Sequence, residues 1–278
     1  MLPRPVLATI LATTTLNLFA KGFIVNTNTI LRRSVLSASA MAATTTKDPL
    51  EELNLPRPLI LGSGSFTRKL ILNEMGVVFK VIKQPIDERA IGDRLQDNPE
   101  QLVLTLAKAK CDRLVAELEK GGLDEELPTP ITAPDQGWVV LTGDQVVTHR
   151  GRILEKPESI EQAKQFVSGY GASPPSTVGS CVLTHYPSGT QVCGVDTATI
   201  HFRPTIADKV DGKDLVDRLL EDNNAPILDC AGGLMVEHEL VQQHLDRIDG
   251  TQDSVMGLSK DLVLRLSREL QQKLQEAP

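Results

Sequence analysis

Aromatic residues are scarce in this 278-residue chain, which has one Trp, two Tyr and six Phe. Leu, Val and Ile must therefore build most of any core. Cysteine is also rare, at positions 111, 181, 193 and 230. That spacing excludes a zinc knuckle, a redox pair and a disulfide scaffold, and a reducing compartment is the simple expectation. No apolar run reaches the ~20 residues of a membrane-spanning helix. The run over residues 5–20 is interrupted by Thr13-Thr14-Thr15 and Asn17, so no membrane partner is expected. Acidic residues are absent from residues 1–47, which hold Arg4, Lys21, Arg32, Arg33 and Lys47. That segment carries +5, so the net charge of −7 leaves −12 on the remainder. An acidic body lacks the basic stripe that a nucleic-acid backbone requires, and nucleic acid is not an expected partner. A small polyphosphate needs only a few local cations.

The acid-free leader is rich in Thr, Ser, Ala and Asn. That is the composition of an organellar transit peptide, or of a disordered extension. Ala38-Ser39-Ala40 mimics a secretory cleavage site, the weaker reading. Residues 1–50 are set apart as this extension, and a folded domain is expected over 56–276. The expected compartment is cytoplasmic, or plastid or mitochondrial if residues 1–47 are an import leader.

Along the body, residues 58–61 predict a short buried strand that opens a Gly/Ser turn. Residues 65–76 predict a helix with Leu70, Ile71, Leu72 and Met75 inside, and residues 77–82 a second strand. Asn98-Pro99-Glu100 is a helix start, with Asn as cap and Pro at the first helical position. The helical spacing of Leu102, Val103, Leu106, Ala109, Leu114 and Leu118 then runs to about Lys120. A loop is expected over 121–136, a strand over 138–147 and a turn over 149–152. A helix follows over 159–167, then a hairpin of residues 178–185 and 191–202. Helices are expected over 206–220 and 261–274. This order predicts an α/β fold with a mixed central sheet and flanking helices, in two lobes with a cleft between them.

Four polar segments sit at the edges of apolar runs. Gly62-Ser63-Gly64-Ser65-Phe66-Thr67-Arg68-Lys69 follows a strand and opens a helix, where backbone N–H groups and the helix dipole form an anion site. Ser63 and Ser65 add donors; Arg68 and Lys69 add charge. It is not a P-loop, since no Gly-Lys-Ser/Thr closes it, and Thr67 stands where a dinucleotide fingerprint needs its last Gly. Asp87-Glu88 is a carboxylate pair of the kind that holds a hard cation such as Mg²⁺. Asp144 lies between the apolar stretches 138–142 and 146–147. A carboxylate there is costly unless it is hydrogen-bonded or bound to a cation, and a general base is its functional reading. Lys156 sits in Glu155-Lys156-Pro157, where proline stiffens the backbone, and Lys110 lies on the capped helix. Two other patterns fail: His238-Glu239 and His244 are spaced too far apart for a zincin motif, and residues 246–250 lack calcium-loop spacing.

In this order the segments resemble the Maf family of nucleoside triphosphate pyrophosphatases, from about residue 58 to 274. His201-Phe202-Arg203, Asp229-Cys230-Ala231-Gly232-Gly233 and Val255-Met256-Gly257-Leu258 extend the likeness. The resemblance implies an elongated α/β fold, shared with inosine-triphosphate pyrophosphatases, with the site in a cleft between lobes. It implies hydrolysis of a small nucleoside triphosphate to its monophosphate and pyrophosphate. The implied cofactor is a divalent cation, Mg²⁺ or Mn²⁺, and a homodimer is compatible with it.

Carried over by position, Asp144 is the catalytic base, and Ser63, Ser65, Arg68 and Lys69 grip the polyphosphate. Lys110 and Lys156 stabilise phosphate charge, Glu88 with Asp87 binds the cation, and Asp229 lies near the nucleotide pocket. Thr67, Gln145 and Glu237 occupy the positions that separate the branches. The dTTP/UTP branch has Arg, Thr and Gln there. The 7-methyl-GTP branch has Gln and Glu at the second and third, as this chain does. Phe66 replaces the family's proline, Thr67 fits neither branch and His238 stands where glycine is usual. A dTTP/UTP preference, and a nucleotide-binding regulatory protein without turnover, therefore stay open as alternatives.

A chain that starts at Asp48 is expected to match the full-length protein in melting temperature and turnover. A fall in either on removing residues 1–47 would show that this segment packs on the body.

Overall fold

Asp48 fastens the start of the fold. Its carboxylate accepts the Leu50 N–H at 2.8 Å, capping helix α1 (Pro49–Glu52), and the Val78 N–H at 3.0 Å. Leu50 and Leu55 are fully buried in the core behind it. The domain therefore begins before the expected start at 56, and the leader expected over 1–50 gives way to folded chain by Asp48. A computed structural model describes residues 47–94, 97–123, 126–128, 137–222 and 225–276. Residues 1–46, where a leader is expected, lie outside these, as do residues 124–125 and 129–136 of the expected loop.

The first half of the body follows its local signals. Strand β1 (Leu59–Leu61) is buried throughout and runs into helix α2 (Phe66–Glu74), capped by the Ser65 hydroxyl. Strand β2 (Phe79–Val81) lies parallel to β1. Helix α3 (Pro99–Glu119) starts on the Asn98 cap, whose side chain accepts the Glu100 N–H. Strands β3 (Trp138–Thr142) and β4 (Gln145–His149) replace the single strand expected over 138–147, with Gly143-Asp144 between them. Strand β5 (Arg152–Leu154) closes a hairpin on β4, and Ser159 caps helix α4 (Ile160–Ser168). The long hairpin is strand β6 (Ser176–Tyr186) with strand β7 (Gln191–Phe202).

The helix expected over 206–220 is largely absent. A 3₁₀ turn spans Pro204–Ala207, an isolated bridge joins Val210 and Lys213, and helix α5 covers only Leu215–Glu221. Asp211 and Gly212 take left-handed backbone angles, φ 52° and 78°, which a continuous helix excludes. The helical spacing still had a cause: Ile206, Leu215, Val216 and Leu219 share one buried cluster. Helix α6 (Glu239–Gln242), strand β8 (Leu245–Asp249) and helix α7 (Gln252–Met256) follow, and helix α8 (Lys260–Glu276) ends the described chain.

The eight strands of the described residues form one mixed sheet. β2, β1 and β3 run parallel, β6 lies antiparallel to both β3 and β4, and β7 and β8 extend the far side. Alternation along β3 sorts its side chains. Val139 and Leu141 pack under α2 and α8, while Val140 packs under α3. The cluster of β4, β7, α4 and α5 holds the other end of the sheet, and Met256 of α7 touches both it and the α2–α8 cluster. Trp138 opens β3; its ring stacks with Tyr186 at 6.2 Å and its indole N–H donates to the Pro128 carbonyl at 3.0 Å.

β1 ends at Leu61 opposite Leu141, and β5 begins its pairing only at Val147. Among the described strands none covers that edge at Gly143-Asp144. The gap opens where β1 hands over to the Gly62–Ser65 loop.

Candidate active site

The pairing of β3 and β4 with β6 runs through the gap without slipping: Thr142 faces Val182 and Gln145 faces Gly179. What changes at Asp144 is the hydrogen bonding. Its N–H donates to the Ser180 hydroxyl at 3.1 Å, while the Ser180 N–H donates to the Asp144 carbonyl at 2.9 Å. A side chain at Gly143 would lie 2.5 Å from the Ser180 carbonyl oxygen, so only glycine fits. By alternation Asp144 points to the face of Val140 and Val146, which is covered by α3.

Two hydroxyls hold α3 to this spot. Ser180 Oγ donates to the Val103 carbonyl and Thr142 Oγ1 to the Ala107 carbonyl, each at 2.8 Å and one helical turn apart. Lys110, just beyond Ala107, then reaches the gap. Its Nζ lies 2.6 Å from Asp144 Oδ1 and 2.9 Å from Glu88 Oε1. Asp144 is 8% exposed, so its charge is matched inside the fold.

Arg68 approaches from the other face of the strand, with its guanidinium carbon 3.7 Å from where a Gly143 side chain would start. The guanidinium donates to the Gly257 carbonyl at 3.0 Å and to Ser63 Oγ at 3.1 Å. Burial lowers the Arg68 pKa from its ordinary value, and the charges of Asp144 and Glu88 oppose that shift. Gly257 ends α7 with φ 105°, a left-handed turn suited to glycine, and this aims its carbonyl. Ser63 Oγ also accepts the Ser65 N–H at 3.2 Å, and Ser65 Oγ bonds Thr67 Oγ1 at 2.9 Å.

Asp144, Lys110, Glu88, Arg68, Ser63 and Ser65 are thus brought together. Asp87 is not: it is exposed, and its carboxylate caps the 3₁₀ turn Glu88–Ala90. Lys69 and Lys156 make no ion pair among the described residues. Gln145, expected to read the base, instead donates its amide to the Val255 carbonyl at 2.8 Å and ties β4 to α7. Glu237 lies with Asp229 and Lys156 around Cys230, whose thiol is pushed up to about 11 by burial and then by those two carboxylates. His238 caps α6 through its Nδ1 and pairs with Asp222 at 3.2 Å.

Sequence reasoning missed Ser180, Thr142 and Arg94. Arg94 donates to the Glu88 carbonyl at 2.9 Å and pairs with Glu155 at 3.3 Å, bracing the Glu88 segment against the residue before Lys156. Nothing in a single sequence distinguishes these three from ordinary polar residues.

Residues 58–270 match the family described as Maf-like protein. The chain belongs to the Maf family. It is 34% identical to the 7-methyl-GTP pyrophosphatase of Dictyostelium discoideum over 78% of this chain and 98% of that protein. It is 32% identical to the 7-methyl-GTP pyrophosphatase of Idiomarina loihiensis, over 65% of this chain and 78% of that one. The dTTP/UTP pyrophosphatase of Salinibacter ruber matches at 27%, over 74% and 87% respectively. In this Maf chain the charged cluster of the gap falls inside the matched span.

Among the described residues no three His, Cys, Asp or Glu side chains gather as a metal cluster. The two carboxylates on Lys110 nonetheless fit a hard cation of the Mg²⁺ kind. Such ions take one or two protein carboxylates and complete their shell with substrate phosphates and water. The fitting pair is Glu88 with Asp144, rather than Glu88 with Asp87.

Ser180→Ala removes the acceptor for the Asp144 N–H and one of the two hydroxyls holding α3. It is expected to lower unfolding free energy by about 1–3 kcal/mol, measured by urea denaturation. Unchanged stability would mean that water replaces the hydroxyl.

Proposed function

We propose that this chain is a nucleoside triphosphate pyrophosphatase acting on the α–β phosphoanhydride, of the 7-methyl-GTP type. The observation that carries the reading is the meeting of Glu88, Lys110 and Asp144 beside the Ser63–Arg68 loop. A carboxylate held among cations, next to a helix N-terminus able to take phosphate, suits hydrolysis of a polyphosphate.

In this mechanism the N–H groups at the start of α2, with Ser65 and Lys69, hold the polyphosphate. Arg68, fixed by Gly257 and Ser63, supplies positive charge from beneath the strand. Asp144 takes the proton of the attacking water, and Lys110 and Lys156 offset the charge that gathers on the phosphates. The products are a nucleoside monophosphate and pyrophosphate. A divalent cation held by Glu88 and Asp144 would screen the phosphates and stabilise the leaving pyrophosphate.

Base preference falls to Glu237, because the Gln145 amide is committed to α7. A carboxylate accepts from the N1 and N2 donors of guanine and attracts the positive charge of its N7-methyl form. Thymine and uracil offer one such donor beside carbonyls that a carboxylate repels. The names of the Dictyostelium and Idiomarina relatives support the same preference.

Asp144→Asn is expected to reduce pyrophosphate release by about 10²–10⁴-fold with the melting temperature preserved. A folded variant with near-normal turnover would remove Asp144 as the base. Glu237→Gln is expected to lower kcat/KM for 7-methyl-GTP by roughly ten- to a hundredfold, and that for UTP or dTTP much less. An equal loss on every nucleotide, with lower stability, would assign Glu237 a structural part instead.

A further inference from the structure

We infer that Lys110 keeps a bare divalent cation out of the free protein, so that the chain takes up a preformed cation–nucleotide complex. This rests on the pyrophosphatase reading and specifies the form of its substrate. One ammonium holds both carboxylates that a cation would need, Asp144 Oδ1 at 2.6 Å and Glu88 Oε1 at 2.9 Å. A Mg²⁺ ion bonded to Asp144 Oδ1 at about 2.1 Å would lie within about 5 Å of that ammonium. It would repel the ammonium and take away its anions, and Lys110 has no other ion-pair partner among the described residues.

The charge count points the same way. Asp144 and Glu88 face Lys110 and Arg68, two anions against two cations, with Arg68 buried and the Lys110 side chain 16% exposed. A bare divalent ion would leave this cluster strongly positive, with least solvent screening at the buried Asp144 and Arg68 and more at Glu88, whose side chain is 50% exposed. A cation–nucleotide complex brings its own phosphate oxygens. These give the ammonium a new partner as the cation reaches the carboxylates, so the two ligands strengthen each other's binding. The exchange also parts Asp144 from Lys110 only when a nucleotide is in place.

The test is a titration of the full chain with Mn²⁺, following free Mn²⁺ by its paramagnetic resonance signal. It is run alone and with a GTP analogue whose α–β bridge is a methylene group, which cannot be hydrolysed there, and the Mn²⁺ taken up by the analogue without protein is measured and subtracted. The wild type is expected to bind Mn²⁺ at least about tenfold more tightly with the analogue, an ordinary size for coupling between two ligands. Lys110→Met is expected to bind Mn²⁺ alone at least about tenfold more tightly than the wild type, and to gain little from the analogue. Lys110→Gln repeats the test should the Met variant be unstable. Lys108→Met removes an exposed charge of α3 that makes no ion pair among the described residues and should leave Mn²⁺ binding as in the wild type. Tight binding of Mn²⁺ alone by the wild type overturns the inference. So does a Lys110 variant no tighter than the wild type, or a Lys108→Met that gains as much. Absence of pyrophosphate release from every nucleotide would instead sink the pyrophosphatase reading, and the Mn²⁺ titration would remain readable.

Discussion

A carboxylate set into the middle of an apolar sheet has to be matched by charge and hydrogen bonds where it stands, and Asp144 is matched from both faces. Lys110 reaches it from α3 on one side, while Arg68 lies against Gly143 on the other. The backbone between them is held by Ser180. Each requirement constrains a separate part of the chain. Position 143 must be glycine to pass the Ser180 carbonyl. α3 must dock within a hydrogen bond of the strand, and α7 must end in a left-handed turn whose carbonyl takes the guanidinium. Removing any one would leave a charge or a backbone donor buried without its partner, the more costly kind of defect in a protein interior.

The docking of α3 shows how little separates packing from chemistry here. Its apolar residues fill two clusters against the sheet, which fixes the helix axis but not its rotation or slide to a fraction of a turn. The hydroxyls of Thr142 and Ser180 bind carbonyls one turn apart and remove that freedom. Lys110 then arrives at a position set by strands on the far side of those bonds. Arg94 does comparable work for Glu88, whose own segment has only a 3₁₀ turn and exposed side chains to hold it.

Local signals in the sequence located much of the fold. Asn98-Pro99 and the apolar spacing behind it fixed α3, helices expected from residues 65 and 159 begin at the capped starts of α2 and α4, and the runs 178–185 and 191–202 gave the β6–β7 hairpin. The reading failed where tertiary contacts overrode pattern. Residues 206–220 have helical spacing, yet Asp211 and Gly212 turn the chain and the same apolar residues reach one cluster by an irregular path. β8 went unseen because Asp246, Arg247 and Asp249 make it polar, as an edge strand can be. At the site, Asp144 stood out by type and place, while Glu88 and Lys110 stood out only through the family resemblance. The guanidinium of Arg68 was expected at the polyphosphate and proved to be buried against Gly257. Gln145 proved to be a tie between elements, because a side-chain amide looks the same in sequence whether it binds a ligand or a carbonyl.

The placement of Trp138 decides what light can report about this molecule. It is the sole tryptophan of the chain, and it sits at the outer end of β3, stacked on Tyr186 and bonded to the Pro128 carbonyl. Asp144 lies six residue steps further along the chain, roughly 20 Å at the rise of an extended chain. Its fluorescence is therefore an optical gauge of one end of the sheet. An emission change on heating registers the parting of β3 from β6, while events in the gap would pass unseen without a second chromophore placed beside it.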